Sequence, residues 1–239
     1  MNTDHRQRPF SPAHAEQGNP IINSPGVVLW LIGVFTLIHF VRPLLSKADQ
    51  FWVLAAFAFS PARYAPPADL KWFVFPGGWA GDIWTFVSHM FLHGDWTHLI
   101  VNCVWMLIFG SVVARRLGAW RFMAFSAVCA AMGAVANLVS YWGEAPTLIG
   151  ASGAISGQMA GAVRMMFAGS GRMSELNRPE VFSRPVLTLA QTLSNRRAVT
   201  FISVWMVANL VFGMVGVGVS NDETRIAWEA HLGGFLAGL

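Results

Sequence analysis

The sequence predicts an all-α membrane protein built as a bundle of six transmembrane helices. Three observations carry this. Hydrophobic residues make up 54% of the 239 positions and charged residues only 12%, about half the charge of an ordinary soluble domain. The mean hydropathy is +0.49. The apolar residues are also gathered into runs near the ~20 residues that cross a hydrocarbon core.

Residues 1–24 are polar, contain Pro9, Pro12 and Pro20, and lack an apolar core. Arg6 and Arg8 are set against Asp4 and Glu16. The segment reads as a disordered cytoplasmic tail, neither a secretory signal nor an organellar transit peptide. The membrane domain then occupies 25–239. Its apolar runs are Gly26–Leu45, Thr97–Ala114, Trp120–Trp142, Leu148–Ala168, Ala198–Val219 and a sixth from Ile226 to Leu239. The sixth rises only ~21 Å against a core of ~30 Å, so that helix is either short or truncated where the sequence stops.

Lys and Arg set the orientation. With the N-terminus inside, the inner segments hold Arg6 and Arg8, then Arg115, Arg116 and Arg121, then Arg164, Arg172, Arg178, Arg184, Arg196 and Arg197. The outer segments hold only Arg42, Lys47, Arg63, Lys71 and Arg225. The bias places the N-terminus in the cytoplasm.

The first outer loop, Ser46 to Trp96, is long. Its apolar stretch Phe51–Phe59 is too short to cross, and Pro61, Pro66 and Pro67 follow it. A re-entrant or interfacial segment is expected, so the loop is partly membrane-embedded. Lys71, Trp72, Phe73 and Trp79 suit interface anchors. The alternative is a floppy loop. The loop from Gly169 to Asn195 is polar, basic and expected to be irregular. Cys103 and Cys129 lie inside apolar runs and read as packing thiols, with no CxxC to suggest a metal. No charge block or basic-aromatic pattern suggests a nucleic-acid partner.

Polar groups inside a bilayer are costly and usually serve a site or a helix contact. Four stand out: His98, Asn102, Ser152 and His231. His98 and Asn102 share one helix face, one turn apart; in isolation such a pair would read as interhelical glue. Ser152 sits in Gly150-Ala151-Ser152-Gly153. After it, Gly153, Gly157 and Gly161 recur every fourth residue, and His231 is followed by Gly234 and Gly238. Two faces without side chains can pack backbone to backbone, which would bring Ser152 and His231 together. Depth points the same way. Counted along the helices, Ser152 lies ~10 Å below the outer surface, and Asn102 and His231 ~8 Å.

A serine hydroxyl needs a base to become a nucleophile, and His231 is the histidine on the later helices that can reach it. The oxyanion formed on attack needs aimed donors, which His98, Asn102 and the Ser152 backbone N–H can supply. Glu229 points about 200° away from His231 around a helix, so a dyad is expected rather than a triad.

The pattern His93-x4-His98-x3-Asn102, Gly150-x-Ser152-Gly153 and Ala230-His231-x2-Gly234-x3-Gly238 resembles the rhomboid intramembrane serine proteases, from about Ser24 to the end. The resemblance implies six helices around a water-filled cavity open to the outside. It implies a Ser152–His231 dyad, with His98 and Asn102 helping the oxyanion hole. It further implies cleavage of single-pass membrane proteins near the outer face, with no metal and no cofactor. Trp205 matches a position often assigned to a lateral substrate gate. Two positions depart from the pattern. Where the family often has a Trp-Arg pair in the first outer loop, Trp84 is followed by Thr85, which leaves the loop's anchoring open. Where an aromatic residue sometimes packs on the histidine, this chain has Ser156, so His231 must be held otherwise.

Two rival readings compete. His89, His93 and His98 cluster, and His89-x3-His93 has zinc-ligand spacing, but Met90 stands where a zinc protease needs Glu. His89 and His93 read better as structural residues tying the loop to the bundle, and His39 as a helix contact. A non-enzymatic membrane groove is the other rival, and it needs no serine–histidine pairing. The lack of a transit peptide and the compact six-helix plan favour a bacterial inner membrane, with the lipid bilayer and transmembrane protein substrates as partners.

Overall fold

The computed structural model describes residues 24–168, 185–215 and 227–239, with only the backbone for 212–215. The expected N-terminal tail, Arg172, Arg178, Arg184 and Arg225, and the start of the sixth run at Ile226 fall outside the described residues. Among those described the chain is helical, apart from one isolated antiparallel bridge between Phe59 and Leu148.

Each of the six apolar runs carries a helix. The first is α1 (Gly26–Val41), followed by a 3-10 turn Arg42–Leu44. The first outer loop holds α2 (Lys47–Phe57) and α3 (Gly78–Ser88). The second run is α4 (Trp96–Trp105), a π-turn Met106–Gly110 and α5 (Ser111–Leu117). Gly118, at φ +75°, turns the chain in one residue into α6 (Ala119–Ser140). Then come α7 (Ser152–Met166), α8 (Leu189–Ser194), α9 (Arg196–Val215) and α10 (Trp228–Gly238). Three stretches, Gly26–Leu44, Trp96–Leu117 and Ala119–Ser140, are long and apolar enough by themselves to cross a bilayer. Leu29, Trp30, Leu37 and Phe40 on α1, and Val204, Val207, Leu210 and Val211 on α9, face outward. Side chains of this size suit hydrocarbon rather than water.

The centre is α7, where all residues except Ser152, Arg164 and Met165 are buried. Its small residues let neighbours approach to backbone contact. A Cβ added at Gly234 would strike the Gly153 carbonyl, and one at Gly238 the Gly157 carbonyl. One at Gly133 on α6 would come within 2.8 Å of the Ala230 carbonyl. Thus α6, α7 and α10 form a tight trio. Lipid supplies no hydrophobic force between helices, so such close packing is what holds them. On the far side of α7, Gln158 is fully buried and donates to Ser126 on α6 at 2.9 Å. The π-turn fits around it: a Cβ at Gly110 would meet the Gln158 Oε1 at 2.9 Å.

Two expectations need correction, and the alternative of a floppy first loop falls away. The fourth apolar run predicts a helix from Leu148, but the helix starts at Ser152. Leu148 exchanges backbone hydrogen bonds with Phe59 (3.1 and 2.8 Å), and Gly150 has φ +108°, neither of which a helix allows. The loop expected to be irregular up to Asn195 ends in α8, whose start carries a reciprocal cap between Thr188 and Gln191; such a box satisfies two free helix donors. The first outer loop is not floppy, although it lacks the Trp-Arg pair. Its anchor is Arg63, whose side chain is fully buried. The guanidinium donates to the Ala55 carbonyl at 2.5 Å and to the Pro76 carbonyl at 3.3 Å, pairs with Asp82 at 3.3 Å, and lies 4.7 Å over the Phe75 ring. Trp84 donates to the Ala56 carbonyl at 2.7 Å, tying α3 to α2.

Arg63→Lys keeps the charge but loses the planar fork that serves these acceptors together. We expect it to lower folding stability by about 2–4 kcal/mol, read as a lower thermal unfolding midpoint in detergent.

Candidate active site

Ser152 is the first residue of α7. The first N–H groups of a helix have no partner inside it, and they carry partial positive charge. The lead-in is fixed from two sides: Phe59 pairs with Leu148, and the Gly150 N–H donates to the His89 carbonyl at 3.0 Å. The serine's position is therefore set by the first outer loop as much as by its own helix.

Two side chains from α4 converge beside Gly150. An added Cβ there would lie 2.5 Å from His98 Nε2 and 3.6 Å from Asn102 Nδ2. Asp95 caps α4 and holds the His98 N–H at 2.9 Å. His98 Nδ1 lies 3.5 Å from the Gly94 N–H. That N–H can only donate, so the neutral imidazole carries its proton on Nε2, facing the Gly150 flank. Asn102 is 3% exposed, and its Nδ2 has no partner. Leaving such a donor unmet costs about 1–3 kcal/mol, a cost usually tolerated where a site needs the donor.

His231 stands on α10 beside Ala230, whose carbonyl lies against Gly133 and, at 3.4 Å from an added Cβ, Gly153. Ser152 and His231 are thus each one residue from the point where α7 and α10 meet. Gly157 faces Cys129, where a Cβ would strike the sulfur, and Gly161 faces Phe125. Ser156 turns its hydroxyl to the Ser152 carbonyl at 2.7 Å. Glu229 accepts from the Tyr141 hydroxyl at 2.6 Å. Trp205 stacks on Phe235 of α10, ring centroids 5.0 Å apart and 21° between planes.

One neighbour was missed in the sequence. Asn209 on α9 lies 2.5 Å from His231, Oδ1 to Nδ1. The signal was available: a lone amide in the apolar run Ala198–Val219, one turn from Trp205, of the kind that singled out Asn102.

The other histidines have structural surroundings. His89 is buried, and its Nδ1 donates to the Thr85 carbonyl at 2.9 Å. His93 packs against Phe35 and His98, ring centroids 5.3 and 5.1 Å away. His39 packs edge-on against Trp96. Burial pushes the loop histidines down from the usual 6.5, His89 to about 4 and His93 to about 3. Among the described residues no group of three His, Cys, Asp or Glu side chains could hold a metal ion.

The family model of the rhomboid domain matches residues 80–239. The chain is 25% identical over 171 residues to the rhomboid protease GlpG of Pectobacterium atrosepticum, covering 71% of this chain and 51% of that protein. It is 26% identical over 157 residues to the rhomboid protease GlpG of Yersinia pestis strain Pestoides F, covering 66% of this chain and 46% of that protein. The chain spans about half the length of the curated relatives it matches.

The glycines and the loop histidines give two measurable outcomes. At Gly150 a side chain meets both a left-handed backbone and His98, whereas Gly143 is left-handed (φ +83°) with open space around it. Gly143→Ala should cost only the backbone strain of about 1–2 kcal/mol; Gly150→Ala should cost more, measured by chemical or thermal unfolding. His89 and His93 stay neutral in the fold but take up protons once unfolded. Stability is therefore full above pH 6.5 and falls as pH drops toward about 4 and then 3, at up to about 1.4 kcal/mol per pH unit for each. Unfolding midpoints across that range should slope less in His89→Gln and His93→Gln.

Proposed function

Because this chain belongs to the rhomboid family, we propose that it works as an intramembrane serine endopeptidase with a Ser152–His231 dyad. The observation that carries the reading is the backbone contact of α7 with α10 at Gly153 and Gly234. It sets the serine's helix and the histidine's helix against each other beside the donors of α4.

In this reading His231 Nε2 takes the Ser152 proton as Oγ attacks the scissile carbonyl. The tetrahedral oxyanion is met by Asn102 Nδ2, His98 Nε2–H and the Ser152 backbone N–H. His231 then passes its proton to the leaving amine, and the C–N bond breaks. Water, activated by the same imidazole, hydrolyses the acyl-enzyme and restores the serine. The unmet Asn102 donor supports this assignment because it lies beside Gly150 and His98, next to the start of the Ser152 helix. The chemistry needs no metal or cofactor.

The substrates are single-pass transmembrane proteins cut near the outer face. Trp205 on α9, stacked on Phe235 of α10, is assigned to the lateral substrate gate in this reading. The Lys and Arg bias supports a cytoplasmic N-terminus, and the bacterial relatives support an inner-membrane location.

Purified protein should label with a serine-directed fluorophosphonate and cleave a model single-pass substrate. Ser152→Ala and His231→Ala should lose both activities. Asn102→Ala should lower kcat by ~100- to 1000-fold. Cleavage that persists in Ser152→Ala would reject the assignment.

A further inference from the structure

We infer that Asn209 is the positioning residue for His231, fixing which ring nitrogen is basic; the inference rests on the proposed protease reading. The amide's own orientation is set first. Asn209 Nδ2 lies 2.8 Å from the Trp205 carbonyl. A carbonyl only accepts, so the NH2 end of the amide must face it. The oxygen end is then the one that faces His231 at 2.5 Å. An amide oxygen only accepts, so His231 Nδ1 must carry the hydrogen. A neutral imidazole has one N–H. Nε2 is therefore left with a free lone pair, the form that can take a proton from Ser152. When the imidazolium forms during the reaction, its Nδ1–H keeps the same acceptor.

The neighbours agree. Glu229 is engaged by Tyr141, and the Ser156 hydroxyl by the Ser152 carbonyl, so neither orients the ring. The amide is itself held in place. Trp205 and Asn209 are one turn apart on α9, and His231 and Phe235 one turn apart on α10. The Trp205–Phe235 stack forms a second rung directly beside the hydrogen bond. Asn209 thus does for this imidazole what a buried carboxylate does in a serine triad, but without a charge to bury in the membrane.

The test uses the full chain in proteoliposomes. Asn209→Leu keeps the volume and removes the acceptor, while Asn209→Asp keeps the acceptor. The expected result is a fall in kcat of about tenfold to a hundredfold in Asn209→Leu, with KM unchanged and most of the loss recovered in Asn209→Asp. Nitrogen NMR of isotope-labelled histidine, with the His231 signal assigned by its absence in His231→Gln, should show the Nδ1–H form in the wild type. It should show a mixture of tautomers in Asn209→Leu. Wild-type kcat in Asn209→Leu, or a wild-type His231 signal in the Nε2–H form, overturns the inference. If Asn209→Leu does not fold, the wild-type spectrum and the Asn209→Asp variant still decide. Failure of the protease reading looks different: neither labelling nor cleavage by the wild type, or cleavage by Ser152→Ala, while the Nδ1–H signal of His231 stays intact.

Discussion

The constraint on which the rest depends is backbone contact between α7 and α10. In water, apolar helices are driven together by loss of hydration; in lipid that drive is absent, and helices hold by van der Waals contact and interhelical hydrogen bonds. Here Gly234 rests on the Gly153 carbonyl and Gly238 on that of Gly157, while Gly133 on a third helix, α6, admits the Ala230 carbonyl of α10. The same absence of side chains that lets the backbones touch also sets Ser152 and His231 at the top of the contact. In the proposed reading, packing and chemistry are two results of one stripe of glycines.

The second constraint comes from outside the bundle. The first outer loop is a folded unit organised by Arg63, and it holds the lead-in to α7 through Phe59 and the His89 carbonyl. A buried guanidinium is tolerated because its acceptors surround it: two backbone carbonyls, one carboxylate and an aromatic face. A long loop with the look of a linker therefore determines where the helix of Ser152 begins.

The plan of the protein was legible because a bilayer penalises polar groups so heavily. His98, Asn102, Ser152 and His231 stood out as single polar residues in apolar runs, and glycines every fourth residue mark a face where two backbones meet. Local features read less well. The start of α7 depended on a tertiary pairing, Phe59 with Leu148, across 89 positions of sequence, which no periodicity reports. Arg63 looked like one more outer-loop charge, because its acceptors are backbone carbonyls and carbonyls leave no mark in a sequence. The π-turn at Met106–Gly110 was hidden because no local pattern marks it; its Gly110 packs against the buried Gln158 of another helix. Asn209 obeyed the rule used elsewhere, but its meaning depends on a partner on α10.

Arg164 near the end of α7 donates to the Leu187 carbonyl and to the Leu239 carbonyl at the end of α10. On the ribosome, α7 with its serine is made long before α10. Until α10 follows it into the bilayer, the glycines of α7 have α6 but not α10 against them, Arg164 lacks one of its acceptors, and Ser152 lacks the base proposed for it. In the proposed reading the order of synthesis acts as a safeguard: a half-made polypeptide passes through the translocon with Ser152 in place but without the base that would activate it.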